Sequence, residues 1–160
     1  QNSAPFASSD LNQYITHVYA YGNYNSRQYA PAIAVLMERP PQGGAYPYSN
    51  NNWESAWWLD ASGTSSADVL ICVLDQPRYI TSFNVVNSVD TYGNSSTDTV
   101  NFTKLTGNAS AITRTALGSV AWGGSVTSAT LSVGGDMQAF AVHRQGASGW
   151  SRLENIRIIP

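Results

Sequence analysis

The chain has 160 residues, enough for one domain with a two-layer core. Only 11% of the residues are charged, the net charge is −2, and Lys104 is the single lysine. This charge distribution argues against nucleic acid or an anionic membrane as the partner. No run of about 18 apolar residues is present to span a bilayer. The polar, weakly charged composition is typical of secreted, cell-surface or phage-tail β proteins.

The hydrophobic pattern predicts short strands separated by turns. Residues 1–13 are rich in Ser, Asn and Ala and predict a loose lead-in, so residues 14–160 are expected to form a single domain. Residues 14–21 predict the first strand, and residues 31–38 fit either a short helix or a strand. The other predicted strands are 69–74, 79–87, 99–105, 111–117, 126–133, 138–144 and 156–159. This pattern indicates an all-β antiparallel sandwich with little helix.

Two turn-forming sequences predict how neighbouring strands connect. The sequence Asp-Gln-Pro-Arg at 75–78 predicts that strands 69–74 and 79–87 pair as a hairpin. A glycine-containing turn is expected between strands 126–133 and 138–144.

The sequence shows no recognisable set of catalytic residues. No spacing ties two carboxylates together, no Gly-x-Ser-x-Gly motif occurs, and the only histidines are His17 and His143. Cys72 is the only cysteine and lies in an apolar run, which predicts a buried side chain. We therefore expect a protein that is not an enzyme.

Aromatic residues are concentrated in a long segment without a clear element, residues 42–66. It contains Tyr46, Tyr48, Trp53, Trp57 and Trp58. Five aromatic residues are too many for a solvated linker, so some are expected in the core. Trp53 follows three asparagines and is the best exposed candidate.

Trp150 stands at the exit of a Gly/Ser loop between two alternating strands. A flat aromatic ring beside planar polar groups is the chemistry that binds a pyranose ring and its hydroxyls. Trp150 fits either this stacking role or a core position. His143 and Arg144 are neighbours on one strand and point to opposite faces, so one of them can face a ligand cleft; the alternative for each is a purely structural role.

Several positions are similar to those of a known family. Leu74, Pro77 and Ile80, with a tryptophan about fifteen residues upstream at 57 or 58, resemble the discoidin-like (coagulation-factor C-type) domains. The end of the chain, residues 139–144 and then 153–158, is similar to the last two strands of that family. The resemblance implies a galactose-binding-like jelly roll whose ligand loops gather at one end.

Within that family, the resemblance to family 32 carbohydrate-binding modules implies two ligand loops. One precedes the last strand and contains Trp150, and the other, residues 87–97, contains Tyr92 and Asn94. The second loop has no arginine, so the resemblance does not extend to galactose as the specific sugar.

The resemblance also implies a structural Ca²⁺ ion. Three carboxylates are candidates for supplying the hard oxygen ligands, and Glu154 resembles a position near the ion site of the family. The candidates are Asp60, Asp68 and Glu154.

The sequence thus predicts a non-catalytic carbohydrate-binding module or lectin-like domain, extracellular, on a cell surface or on a virion. Its expected partners are a glycan or cell-surface polysaccharide and a larger parent protein or further copies of the chain. The predicted ligand-binding residues are Tyr46, Tyr48, Trp53, Tyr92, Asn94, His143, Arg144 and Trp150. The alternative is a structural or protein-binding domain of a phage tail, a capsid appendage or an adhesin.

Overall fold

The computed structural model describes residues 10–20, 36, 57–59, 66–86, 99–108, 110–121, 128–145, 151–153 and 155–160. These residues form a short 3₁₀ helix, Leu11–Tyr14, and eight strands. The strands are β1 (Ile15–Ala20), β2 (Trp57–Leu59), β3 (Ser66–Val86), β4 (Thr99–Asn108), β5 (Ala111–Ala121), β6 (Ser128–Gln145), β7 (Ser151–Leu153) and β8 (Asn155–Ile159). The predicted all-β antiparallel sandwich is confirmed. No helix in the described part of the chain is long and apolar enough to cross a membrane.

Two long strands, β3 and β6, belong to both layers of the sandwich. In the first layer, the N-terminal half of β3 pairs with β1 and with the C-terminal half of β6, and the order is β1-β3-β6-β4-β5. In the second layer, residues 78–86 of β3 lie between β8 and residues 128–137 of β6. A separate small sheet pairs β2 with β7. All of these pairings are antiparallel.

The expected hairpin between residues 69–74 and 79–87 is wrong, because both segments belong to the single strand β3. Similarly, the segments predicted as strands at 126–133 and 138–144 are parts of β6. The turn signals mark a corner in each strand. The pairing of β3 with β6 shifts between Val73 and Arg78, and Gly134 of β6 has a φ of 65° close to the same level. The chain bends there from one layer into the other and does not reverse.

The core lies between the two layers. Phe83 comes from the second layer, and Phe102 and Phe140 come from the first. All three rings are fully buried, and the centroid of Phe83 lies 4.7 Å from that of each of the other two rings. Burial of such a side chain stabilises the fold by about 3 kcal/mol. Cys72 is buried as predicted, and burial raises the pKa of its thiol.

Residues 10–13, which we predicted to belong to a loose lead-in, are fixed to the sandwich. Asn12 is 1% exposed and donates hydrogen bonds to the carbonyls of Leu36 and Ile156, at 2.9 and 2.8 Å. Its side-chain oxygen accepts from the N–H of Ile158 at 2.7 Å. Because all three bonds are buried, the segment from residue 10 is part of the folded domain; residues 1–9 lie outside the described part.

Candidate functional site

One end of the first layer gathers the connecting segments. The backbone register aligns Ser66, Gln145, Thr99 and Ala121 in one row across β3, β6, β4 and β5. The segments 60–65, 87–98, 122–127 and 146–150 therefore join the first layer at the same end.

The chain passes between the two layers at this end. The six residues 122–127 connect Ala121 in the first layer to Ser128 in the second, so these strand ends lie within about 25 Å of each other. Ser128 pairs with Val86, which in turn pairs with Asn155 at the start of β8. The connections at this end therefore bridge the two layers of the sandwich.

Most of the predicted site residues lie outside the described residues. These are Tyr46, Tyr48, Trp53, Asp60, Tyr92, Asn94, Trp150 and Glu154. Their roles remain predictions. Arg144 lies in β6 opposite Ala67 and Val100, but its side chain is outside the description. His143 and Asp68 are described, and the structure brings them together.

His143 and Asp68 belong to a three-residue cluster on the outer face of the first layer. Both carboxylate oxygens of Asp68 accept from the Arg114 guanidinium, at 2.6 and 2.7 Å. Asp68 Oδ1 also lies 3.1 Å from His143 Nδ1. This bidentate pairing with the guanidinium is the strongest geometry for an Arg–carboxylate contact. Burial of Asp68 raises its pKa, but Arg114 and His143 outweigh that effect and hold the pKa of Asp68 below its ordinary value.

The Arg114 contact requires a concave sheet. Asp68 is on β3 and Arg114 is on β5, with β6 and β4 between them. Three strand spacings amount to about 14 Å across a flat sheet. Contacts of 2.6 and 2.7 Å between two side chains this far apart in the sheet show that the first layer curves toward its outer face.

The cluster borders a hollow of about 460 Å³ on the same face, which also contacts Phe102, Ala116 and Gly118 and which we call the polar hollow after its hydrogen-bonding side chains. Its lining includes His143 and Arg114 together with the polar residues Asn101, Thr103 and Ser119. Amide, hydroxyl, imidazole and guanidinium groups are the donors and acceptors that hydrogen-bond sugar hydroxyls.

Sequence reasoning missed Arg114, Asn101, Thr103 and Ser119. Each lies on a predicted strand or on its continuation, so alternation along the strand could have identified it as outward-facing. The pairing of Arg114 with Asp68 joins positions 46 residues apart, and no local pattern indicates it.

Asp68 does not fit the role of a Ca²⁺ ligand. Both of its oxygens already bind a guanidinium, and a cation at that position would meet the charge of Arg114. Within the described ranges, no group of three or more His, Cys, Asp or Glu side chains is arranged to hold a metal ion. The calcium prediction therefore depends on Asp60 and Glu154, which lie outside those ranges.

Comparison of the sequence with protein-family models and with curated proteins finds no match. Solved structures are similar in fold over nearly the whole chain. The family 32 carbohydrate-binding module of Clostridium perfringens NanJ, solved in complex with galactose, has a TM-score of 0.59 at 15% identity. The alignment covers 92% of this chain and 94% of that module.

A second Clostridium perfringens family 32 module, solved with GalNAc-β-1,3-galactose, has a TM-score of 0.60 at 10% identity. The alignment covers 96% of this chain and 100% of that module. The chain has the fold of these modules.

The discoidin-like resemblance found in the sequence is thereby confirmed at the level of fold. A fucolectin from striped bass (Morone saxatilis) serum shares this galactose-binding-like fold, with a TM-score of 0.60 at 15% identity. The alignment covers 94% of this chain and 47% of the fucolectin chain.

Proposed function

We propose that this domain binds carbohydrate and has no catalytic activity of its own. The observation that supports this most strongly is the full-length similarity in fold to modules solved with galactose and with GalNAc-β-1,3-galactose. These modules match the whole domain and not a fragment of it, so the elements that position their loops have counterparts here. The identity is too low to transfer the sugar.

We place the proposed site at the end of the sandwich where the connecting segments meet. The segment 146–150 contains Trp150, and the segment 87–98 contains Tyr92 and Asn94. The row of strand ends from Ser66 to Ala121 supports this location, because both segments join the first layer there. Trp150 would stack on the apolar side of a pyranose, and the polar side chains would bind its hydroxyls.

The proposal includes an extracellular or surface location and a larger assembly. Similarity in fold to a serum lectin and to bacterial carbohydrate-binding modules supports such a location. A single shallow sugar site binds weakly, so a larger parent protein or several copies of the chain would raise the avidity.

A glycan-array screen of the isolated domain tests the proposal, run once with Ca²⁺ and once with a chelator. We expect binding to a set of related glycans. Trp150→Ala is expected to weaken that binding by about tenfold or more, because loss of one stacked ring costs about 1.5 kcal/mol. A requirement for Ca²⁺ would favour a metal role for Asp60 and Glu154.

The matched control is Tyr79→Ala, which removes a ring that is 57% exposed at the corner of β3. Its glycan profile is expected to equal that of the wild type. Failure of the folded domain to bind any glycan would contradict the proposed function and favour the alternative of a structural or protein-binding domain.

A further inference from the structure

A second concave region lies beside the polar hollow, on the same outer face of the first layer. This outer groove has a volume of about 630 Å³ and is bordered mainly by β1, β3, β4, β5 and β6. Its apolar lining consists of Tyr19, Ile71, Val73, Leu105, Ile112 and Ala139 among others. Side chains alternate along β3. Because Leu70, Cys72 and Leu74 point into the core, the residues between them point to the outer face.

The register explains the shape of the groove. One row across the sheet runs Tyr19, Ile71, Ala141, Thr103, Ala116, and the next runs His17, Val73, Ala139, Leu105, Arg114. In both rows an alanine on β6 lies between larger side chains on β3 and β4. Ala139 lines the groove between Val73 and Leu105, and its small side chain deepens the groove there, whereas Ala141 is fully buried.

Among the described residues, β1 is the outermost strand on one side of the groove and carries the aromatic rings of Tyr19 and His17. Tyr19 is 60% exposed, and its ring lies nearly parallel to that of His17, with an interplanar angle of 9° and 6.5 Å between centroids. Ile112, 59% exposed, lies on the β5 side. An exposed flat ring beside an aliphatic floor fits the C–H face of a sugar.

The outer groove and the polar hollow lie one after the other along the strands. On β6 the groove uses residues 136–139 and the hollow uses His143; on β5 the groove uses Ile112 and the hollow uses residues 114–119. The distance along β6 from Met137 to His143 is six residues, or about 20 Å. This length exceeds that of a single sugar ring.

The charges along this surface balance. Arg114 pairs with Asp68 at one end, and Lys104 and Asp136 both border the groove at the other end. Among the described residues these two cations and two carboxylates carry no net charge that would attract an anionic ligand. A neutral ligand with many hydroxyl groups fits this surface better than a uronate or a sulfated chain.

A peptide fits less well. The floor is formed by β3, β6 and β4, and each of these strands has a hydrogen-bonded neighbour on both sides. A peptide strand therefore finds no free backbone groups along the floor with which to pair.

We propose that this outer face is a second carbohydrate-binding surface, which holds an extended, uncharged glycan chain across the outer groove and the polar hollow. The proposal rests on the proposed function, because it assumes that the domain is a carbohydrate binder. It differs from the site at the end of the sandwich in location and in ligand length.

Isothermal titration of the isolated domain with cellohexaose, xylohexaose and 1,4-linked mannohexaose tests this second surface. We expect at least one hexaose to bind, and the matching monosaccharide to bind at least tenfold more weakly. Tyr19→Ala is expected to weaken hexaose binding about tenfold, whereas Tyr19→Phe, which keeps the ring, is expected to stay within about twofold.

Two controls separate this surface from the site at the sandwich end. Tyr79→Ala removes an equally exposed tyrosine outside the groove and is expected to leave hexaose affinity unchanged. Trp150→Ala is expected to reduce the glycan-array signal, and Tyr19→Ala added to it is expected to weaken hexaose binding about tenfold further, because the two sites are separate. Circular dichroism of each variant establishes that it is folded.

Four results would overturn the second surface. The first is equal hexaose affinity in Tyr19→Ala and the wild type. The second is binding on the glycan array without binding of any hexaose. Both results leave the proposed function intact. Self-association that Tyr19→Ala abolishes in sedimentation velocity, without an effect on hexaose binding, would identify the face as an interface between copies. Absence of binding to every glycan would overturn both proposals.

Discussion

At the scale of single residues, Asp68 organises the outer face of the sandwich. It holds the Arg114 guanidinium across two intervening strands and accepts a contact from His143. Its side chain is 24% exposed, so water only partly screens the pair. Asp68 was a candidate ligand for the calcium ion that the family resemblance implies, but the structure places a cationic side chain at its oxygens.

Asp68→Asn is expected to make stability less dependent on pH. Because the pKa of Asp68 is lowered in the folded state, its charge stabilises the fold above the unfolded pKa of about 3.9, and the contribution is lost as the pH falls through the folded value. Urea unfolding at pH 7 is expected to show a loss of about 1 kcal/mol in the variant. That difference should shrink below about pH 4.

The control for this measurement is Asp75→Asn. It removes an ion pair with Arg78 in which the Asp75 side chain is 39% exposed, against 24% for Asp68. A smaller change in unfolding free energy is expected, because water screens the more exposed carboxylate better. A difference between wild type and Asp68→Asn that stays constant from pH 7 to about pH 2.5 would contradict the assigned role of the charge.

At the scale of elements, the corner shared by β3 and β6 forms the two layers from one pair of long strands. Sequence patterns identified most strand segments, including β1, β4, β5 and β8, because alternation and turn residues are local signals. They did not show that Pro77 and Gly134 lie at corners. Turn chemistry is the same where a strand reverses and where it bends at an irregularity, and only tertiary pairing distinguishes the two.

The candidate sites were predictable to a lesser extent. The aromatic and polar residues of the loops stand out in the sequence because their chemistry suits sugars. The outer groove and the Arg114–Asp68 pair depend on the register of five strands, which no single segment encodes. The two short strands β2 and β7 were also missed, since each has only three residues.

Gly118 tests the close approach of β5 to β6. Its φ is 143°, and a Cβ atom there would lie 2.6 Å from Leu131 Cδ1. Gly118→Ala is therefore expected to lower the free energy of unfolding by about 1–3 kcal/mol in urea titrations, through overpacking and backbone strain. Gly135→Ala is the matched control in β6, where the new Cβ meets no atom within 4 Å. Equal stability of the two variants would contradict this packing.

At the scale of the whole molecule, the fold provides two distinct surfaces. The buried core and the paired strands make a rigid framework, and the segments 87–98 and 146–150 join it at one end. The outer face of the first layer is concave and lies on the strands themselves. The two proposals use these surfaces separately, the end of the sandwich for the site that includes Trp150 and the outer face for an extended glycan chain.

The most direct test of the account is an NMR titration of the ¹⁵N-labelled domain with the shortest glycan that binds in the array. We predict that the amide signals of Thr99, Ala121 and Gln145 shift together, because these residues are strand ends that lead into the proposed site. Shifts confined to the opposite corner, at Asp75–Tyr79, or no shifts at saturating glycan, would contradict carbohydrate binding at the end of the sandwich.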